Sequence, residues 1–286
     1  MSRPTAQRVT KTSVQDVSDY LEKKAPSDFA EKWDNVGLLL GDPLQSVKKI
    51  LVGIDLTEAM INSAIKKKIN LIINHHPCIF RDGMFSVTPE PKKGSLHPLI
   101  FQALEKKIAV MACHTNFDRG ALDAVRVVSR KLGISPKGRL LDLGQMTDLR
   151  YQKNQYRVQK GSGYGFWGDV KERMSFSELM QCVKSGFDTH SFLVTGDEPK
   201  KVRRVAFSQG KGASFVESAH QMGCQVFVTG EVGYHVAIDA AKKGLTVVEL
   251  GHQQSELYFL HVMKNWLIAR GLEVEVFSVR EQKFWH

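Results

Sequence analysis

Four apolar runs in this sequence end in residues that can bind a metal ion or move a proton. Leu71–Asn74 runs into His75-His76-Pro77, and Ile108–Cys113 into His114, with Asp118 four residues on. Gln225–Thr229 runs into Gly230-Glu231, and Leu245–Leu250 into Gly251-His252, with Glu256 four residues on. Taken singly, a histidine after a strand ordinarily satisfies a loop carbonyl, and His-x-x-x-Glu on a helix is commonly a surface pair. Together the four point to one task, because open α/β sheets build their sites outside the carboxyl ends of their strands. The donors are nitrogen and oxygen, without an obvious thiolate. That set suits Zn, Mn, Fe, Co or Ni at an open site better than a closed structural zinc. His252 and Glu256 turn to one face if a helix begins there. His75 and His76 are adjacent, point in different directions, and are better placed to serve two ions than one. Two ions about 3.5–4 Å apart, bridged by a carboxylate, are a common hydrolytic arrangement.

The elements that must position these residues follow an α/β rhythm. Lys49–Asp55, Leu71–Asn74 and Ile108–Cys113 read as short buried strands. Helices fit Val14–Lys24, Thr57–Lys68 (with Thr57 as N-cap) and Leu99–Lys107. The second half repeats the order, with strands over Val202–Ser208, Gln225–Thr229 and Leu245–Leu250 and helices over Ser214–Met222 and Tyr234–Lys243. Each half closes on His-x-x-x-acid. The pattern predicts an internally duplicated α/β unit with mostly parallel sheets, which are normally covered on both faces and therefore read as apolar runs. The site is expected at the carboxyl ends of strands between the two halves. Residues 1–12 read as a disordered basic tail, 13–135 as the first half, 136–197 as a connector and 198–286 as the second half.

Composition bounds the classes. The chain has 286 residues, 42% apolar and 24% charged, ordinary globular usage. No apolar run approaches the roughly 20 residues of a membrane span. The N-terminus lacks the apolar stretch of a secretory signal. Four cysteines without C-x-x-C spacing read as reduced thiols, so a cytoplasmic protein without membrane association is expected. Cys78 and Cys113 read as inert buried thiols and Trp33 as a core anchor. Asp34 and Asn35 suit either a turn or the orienting of ligand imidazoles. The formal net charge of +10 invites nucleic-acid binding. The clusters Lys66-Lys67-Lys68, Lys106-Lys107 and Lys242-Lys243 lie near apparent helix ends, however, where cations meet the negative end of the macrodipole.

Trp33-Asp34-Asn35-Val36-Gly37, His75-His76-Pro77, His114-Thr115-Asn116-Phe117-Asp118 and Gly251-His252-Gln253-Gln254-Ser255-Glu256 resemble the successive signatures of the GTP cyclohydrolase 1 type 2 homologue family, also called Nif-three-like proteins. The resemblance covers about residues 13–135 and 200–270. It implies a duplicated α/β fold and two divalent metal ions per chain, Zn, Mn or Fe, held by His75, His76, Asp118, His252 and Glu256, with Glu256 as the bridge. It makes His114 a substrate-facing or ligand-supporting residue and places Glu231 and His235 near the cavity. It also implies a homo-oligomer, a ring-shaped hexamer built from dimers. Departures are Glu231 where the family usually has Asp, Val236 in a usual Tyr-His-Asp, and Gln209-Gly210-Lys211-Gly212 for Gly-Gly-x-Gly.

The leading expectation is a metal-dependent hydrolase acting on a nucleotide or related phosphorylated heterocycle, with His114 or His235 transferring protons. GTP cyclohydrolase-type ring opening is one form of it. The alternative is a metal-binding assembly or scaffold protein that binds partners or nucleic acid through its basic surface.

Overall fold

The computed structural model describes residues 12–79, 96–142 and 162–278. The basic tail apart from Thr12, and the connector over 143–161, lie outside the described residues. The chain forms two compact units. The first takes in Trp33–Cys113, with the chain up to Lys23 and from Leu267 onward; the second takes in Lys24–Lys32 and His114–Trp266.

In the first unit, α1 (Val14–Glu22) opens with a capping box. The Ser13 hydroxyl accepts the Asp16 N–H at 3.1 Å, and the Asp16 carboxylate accepts the Ser13 N–H at 2.7 Å. The helix buries Val14, Val17 and Leu21, one stripe at helical spacing. There follow β1 (Gly37–Leu40), β2 (Ile50–Gly53), α2 (Glu58–Lys66), β3 (Leu71–Asn74), α3 (Leu96–Glu105) and β4 (Ala109–Ala112). The Thr57 hydroxyl caps α2 by accepting the Met60 N–H. The sheet order is β1-β4-β3-β2-β13, where β13 is Val274–Val276. All pairs are parallel except β1 with β4. β2 and β3 are buried at every residue, so both faces are covered, and each large apolar side chain contributes about 1.5–3 kcal/mol.

The second unit holds α4 (Thr115–Gly120), α5 (Leu122–Lys131), β5 (Ile134–Gly138), β6 (Leu141–Asp142), β7 (Gly163–Tyr164), β8 (Phe166–Met174), α6 (Phe176–Phe187) and β9 (Leu193–Thr195). It continues with β10 (Val202–Phe207), α7 (Val216–Gln221), β11 (Val226–Thr229), α8 (Tyr234–Lys242), β12 (Thr246–Glu249) and α9 (His252–Glu256). Helix α10 (Tyr258–Ala269) then carries the chain back to the first unit's share. The sheet order is β5-β8-β10-β11-β12-β9. β10, β11 and β12 are parallel, as crossover helices require, whereas the flanking pairs β12–β9, β10–β8 and β8–β5 are antiparallel. Strands β5, β8 and β9 come from residues 134–195, so most of the connector segment that is described serves this sheet.

Candidate metal centre

In the first unit the candidate imidazoles extend β3. Past Asn74 the backbone keeps bonding to the neighbouring strand's exit: the N–H groups of His75 and His76 donate to the carbonyls of Gly53 and Ile54. His75 is buried and His76 half-buried, with ring centroids 5.0 Å apart and tilted by 42°. His75 Nδ1 lies 3.0 Å from the Cys113 carbonyl oxygen, and His76 Nδ1 lies 2.7 Å from Asp55 Oδ1. A carbonyl or an ionised carboxylate only accepts, so each Nδ1 carries the hydrogen and each lone pair sits on Nε2. The two histidines bring ring nitrogens within 4.8 Å of each other.

The second unit repeats this device at α9. His252 Nδ1 lies 3.0 Å from Glu231 Oε1, which again leaves Nε2 as the donor atom. That nitrogen faces Glu256 Oε1 at 3.2 Å, one helical turn on, and Glu256 is only 3% exposed. Two electron-pair donors at this distance repel unless a cation is shared with them, either a proton or a metal ion. The donor set therefore fits a metal. The loop after β10 is shaped around the pair. A Cβ on Gly210, whose φ is +56°, would sit 2.8 Å from Glu256 Oε1 and 3.3 Å from His252 Nε2. The Gly210 N–H donates to the Ser255 hydroxyl, which donates to the His252 carbonyl.

His114 occupies the N-cap position of α4, and its carbonyl accepts the Asp118 N–H. Around Asp118 the helix is held by its neighbours. Phe117 is fully buried against Phe259 and Trp266, with ring centroids 4.9 and 5.5 Å away. Arg119 is buried beside Glu31 at 3.4 Å, and the Tyr164 hydroxyl donates to the same Glu31 oxygen. Burial pushes the Tyr258 phenol well above its ordinary value, and the Asp118 and Glu256 carboxylates add to it, so both carboxylates act on one neighbour. His235 is exposed on the first turn of α8, its ring 5.2 Å from that of Tyr234.

Asp55 is the supporting residue that sequence reasoning passes over. Its signal is its place, an acid at the exit of an apolar strand, the same place Glu231 holds after β11. The cysteines fit the inert reading: Cys78, Cys113 and Cys224 are buried, and burial pushes Cys78 up to about 11 and Cys224 to about 12. Cys113 contributes its carbonyl to the site. Trp33, expected in the core, is 51% exposed. Its neighbour Asp34 is the buried residue of that turn, and the Asp34 carboxylate accepts the Asn35 N–H.

The family model described as Duf34/NIF3 (NGG1p interacting factor 3) matches residues 12–283. The chain belongs to that family. A Clostridium acetobutylicum Duf34/NIF3 relative named GTP cyclohydrolase 1 type 2 homolog is 32% identical over 261 residues, 89% of each chain. NIF3-like protein 1 of Drosophila melanogaster is 28% identical over 259 residues, 89% of this chain and 81% of its own. The crystal structure of a Staphylococcus aureus hypothetical protein is similar with a TM-score of 0.79 at 25% identity, covering 96% of this chain and 99% of that one. Among the described residues of this Duf34/NIF3 chain, no helix is long and apolar enough to cross a membrane.

Proposed function

We propose that this Duf34/NIF3 chain holds two divalent metal ions through His75, His76, Asp118, His252 and Glu256, and hydrolyses a nucleotide or related phosphorylated heterocycle. The observation that carries the reading is the arrangement of three imidazoles, each fixed through Nδ1 so that Nε2 is the electron-pair donor, with a buried carboxylate beside one of them. Two such ions, when bound, supply Lewis acidity and a water acidic enough to attack near neutral pH. The chain's own residues do the rest. Asp55, Glu231 and the Cys113 carbonyl orient the rings, and Gly210 leaves room beside Glu256. His114 and the exposed His235 are the candidates for moving protons. The name of the Clostridium relative makes GTP ring opening one form of the reaction. The same reading treats the two halves as copies of one α/β unit and the assembly as a ring-shaped hexamer.

Elemental analysis of the purified protein tests the centre, together with turnover against a nucleotide panel. The expected result is close to two transition-metal ions per chain, with content reduced and turnover lost by at least about 100-fold in His252→Ala and Glu256→Ala. A protein that takes up neither Zn, Mn nor Fe, or turnover that survives Glu256→Ala, would overturn it. The second reading, a metal-binding scaffold that binds nucleic acid, is favoured by one observation, the cations described next.

A further inference from the structure

Each lysine cluster that stands out in the sequence has at least one member beside a carboxylate, Lys106 beside Glu105 at 4.0 Å among them, although Lys66, Lys68 and Lys107 have no such partner among the described residues. Lys67 pairs with Glu275 at 2.6 Å, Lys242 with Asp239 at 3.2 Å and Lys243 with Glu217 at 2.5 Å. The cations around the start of β10 do not. Lys200, Lys201 and Arg203 are exposed, as is Lys171 on β8, and none of the four has a carboxylate partner among the described residues. They stand at a strand, so no helix C-terminus offsets their charge.

Lys171, Arg203 and Arg204 line a groove of about 650 Å³ with Val202, Gly223 and Gln225. The groove's one carboxylate, Asp169, is taken by Arg204 Nε at 2.8 Å and by Lys137 at 4.0 Å. Arg204 also covers the Trp167 ring, its guanidinium 4.5 Å from the centroid, and so forms a wall. The Gln225 side-chain oxygen accepts the N–H groups of Arg203 and Arg204 at 2.8 and 3.0 Å, which fixes the strand from which Arg203 projects. All this lies at the entry of β10 and β11, the end of this sheet opposite the strand exits that lead to Glu231 and His252.

We propose that this groove binds the phosphodiester backbone of a nucleic acid without sequence preference. Lys200, Lys201 and Arg203 are neighbours in the chain, and Lys171 stands on β8, the strand paired with β10; such like charges repel, and a polymer carrying a regular row of negative charge relieves that repulsion at several points at once. Among the described residues no aromatic side chain lines the groove, and the nearby Trp167 ring is covered by Arg204, so the contacts offered are to phosphates and not to stacked bases. The inference is independent of the metal reading, since no proposed ligand belongs to the groove.

Fluorescence anisotropy of the whole chain with a labelled mixed-sequence single-stranded DNA oligonucleotide, followed over a salt series, tests it. The wild type binds at low salt with a steep salt dependence. Lys201→Ala/Arg203→Ala weakens binding by at least about tenfold and reduces the log–log salt slope by about 0.7 for each lost contact. Lys171→Ala/Lys200→Ala does the same at independent positions, with circular dichroism confirming that both variants fold. Lys242→Ala/Lys243→Ala removes the same net charge from a paired cluster and leaves affinity within about twofold, since exposed ion pairs carry little free charge to a ligand. Equal losses in all three variants, or no binding at low salt, would overturn the groove. So would binding confined to anionic phospholipid vesicles.

Discussion

The two sheets share one run of elements in the same order, α1-β1-β2-α2-β3-α3-β4 beside α6-β9-β10-α7-β11-α8-β12, to which the first adds β13 and the second β5 and β8. Each opens with a capping box, Ser13 with Asp16 and Ser175 with Glu178. Each antiparallel edge strand leaves through a glycine at positive φ, Gly41 and Gly196, because a Cβ there would press on the backbone of Ala109 or Thr246. The use made of the strand exits differs. In the first unit the histidines follow the middle parallel strand and the supporting acid, Asp55, follows β2. In the second the histidine follows the last parallel strand and the acid, Glu231, follows β11. The pattern is shifted by one strand, yet the rule is the same: a histidine is held by the acid at the exit of the strand before it. What repeats is the relation between neighbouring exits, not the address of any one residue.

The comparison breaks most visibly if the supporting acids are unequal. Asp55→Ala and Glu231→Ala are each expected to lower metal affinity about 10–100-fold, read by titration against a competing chelator. Loss in one alone would show that the two exits do different work. A smaller effect separates the ends of the middle strands. Thr229 and Ser208 share a buried hydroxyl–hydroxyl bond at 3.1 Å, whereas the Asn74 side chain is fully buried beside Gly53 with no hydrogen-bond partner among the described residues. Thr229→Val should cost about 1 kcal/mol, while Asn74→Val should leave the melting temperature unchanged or raise it. A destabilised Asn74→Val would show that the carboxamide contributes to the fold where Thr229 does. The smallest effect concerns the caps. Ser13→Ala and Ser175→Ala should each cost about 1 kcal/mol in thermal unfolding. Bonds from Ser13 and Ser175 hold the Asp16 and Glu178 carboxyls below their ordinary values. Their contribution is therefore present above the ordinary carboxylate range and is lost as pH falls through the lowered values, which an acid titration of wild type against the alanine variants would reveal.

Apolar runs made the parallel strands legible, because burial on both faces leaves no polar alternation to confuse the period. Leu71–Asn74 has the same bounds in sequence and structure, and Thr57 caps α2 as its residue type suggests. β8 was harder to read: Phe166–Met174 carries Asp169, Lys171, Glu172 and Arg173, and its place depends on antiparallel pairing with β5 and β10, which no local pattern contains. β13 is three half-buried residues whose partner lies near the other end of the chain. The histidines of the candidate site were legible by type and place, whereas Asp55 needed the observation that strand exits lie side by side. The unpaired cations Lys200, Lys201 and Arg203 were hidden for another reason, since sequence shows where charge is and not which charge has been answered.

β13 has a consequence for the order in which the molecule can be made. It docks parallel to β2, with the Ile50 N–H bonded to the Glu273 carbonyl and the Phe277 N–H to that of Val52. Lys49 holds Glu273 and Glu275 from the side, and Lys67 holds Glu275 as well. The second sheet is drawn from one continuous stretch, Ile134 to Glu249, and can close as soon as that stretch leaves the ribosome. The first sheet, although translated earlier, keeps β2 as an open edge until nearly the whole chain has emerged. The half synthesised first is thus the half completed last, and a chain cut short before Val274 would expose that edge to its neighbours on the polysome.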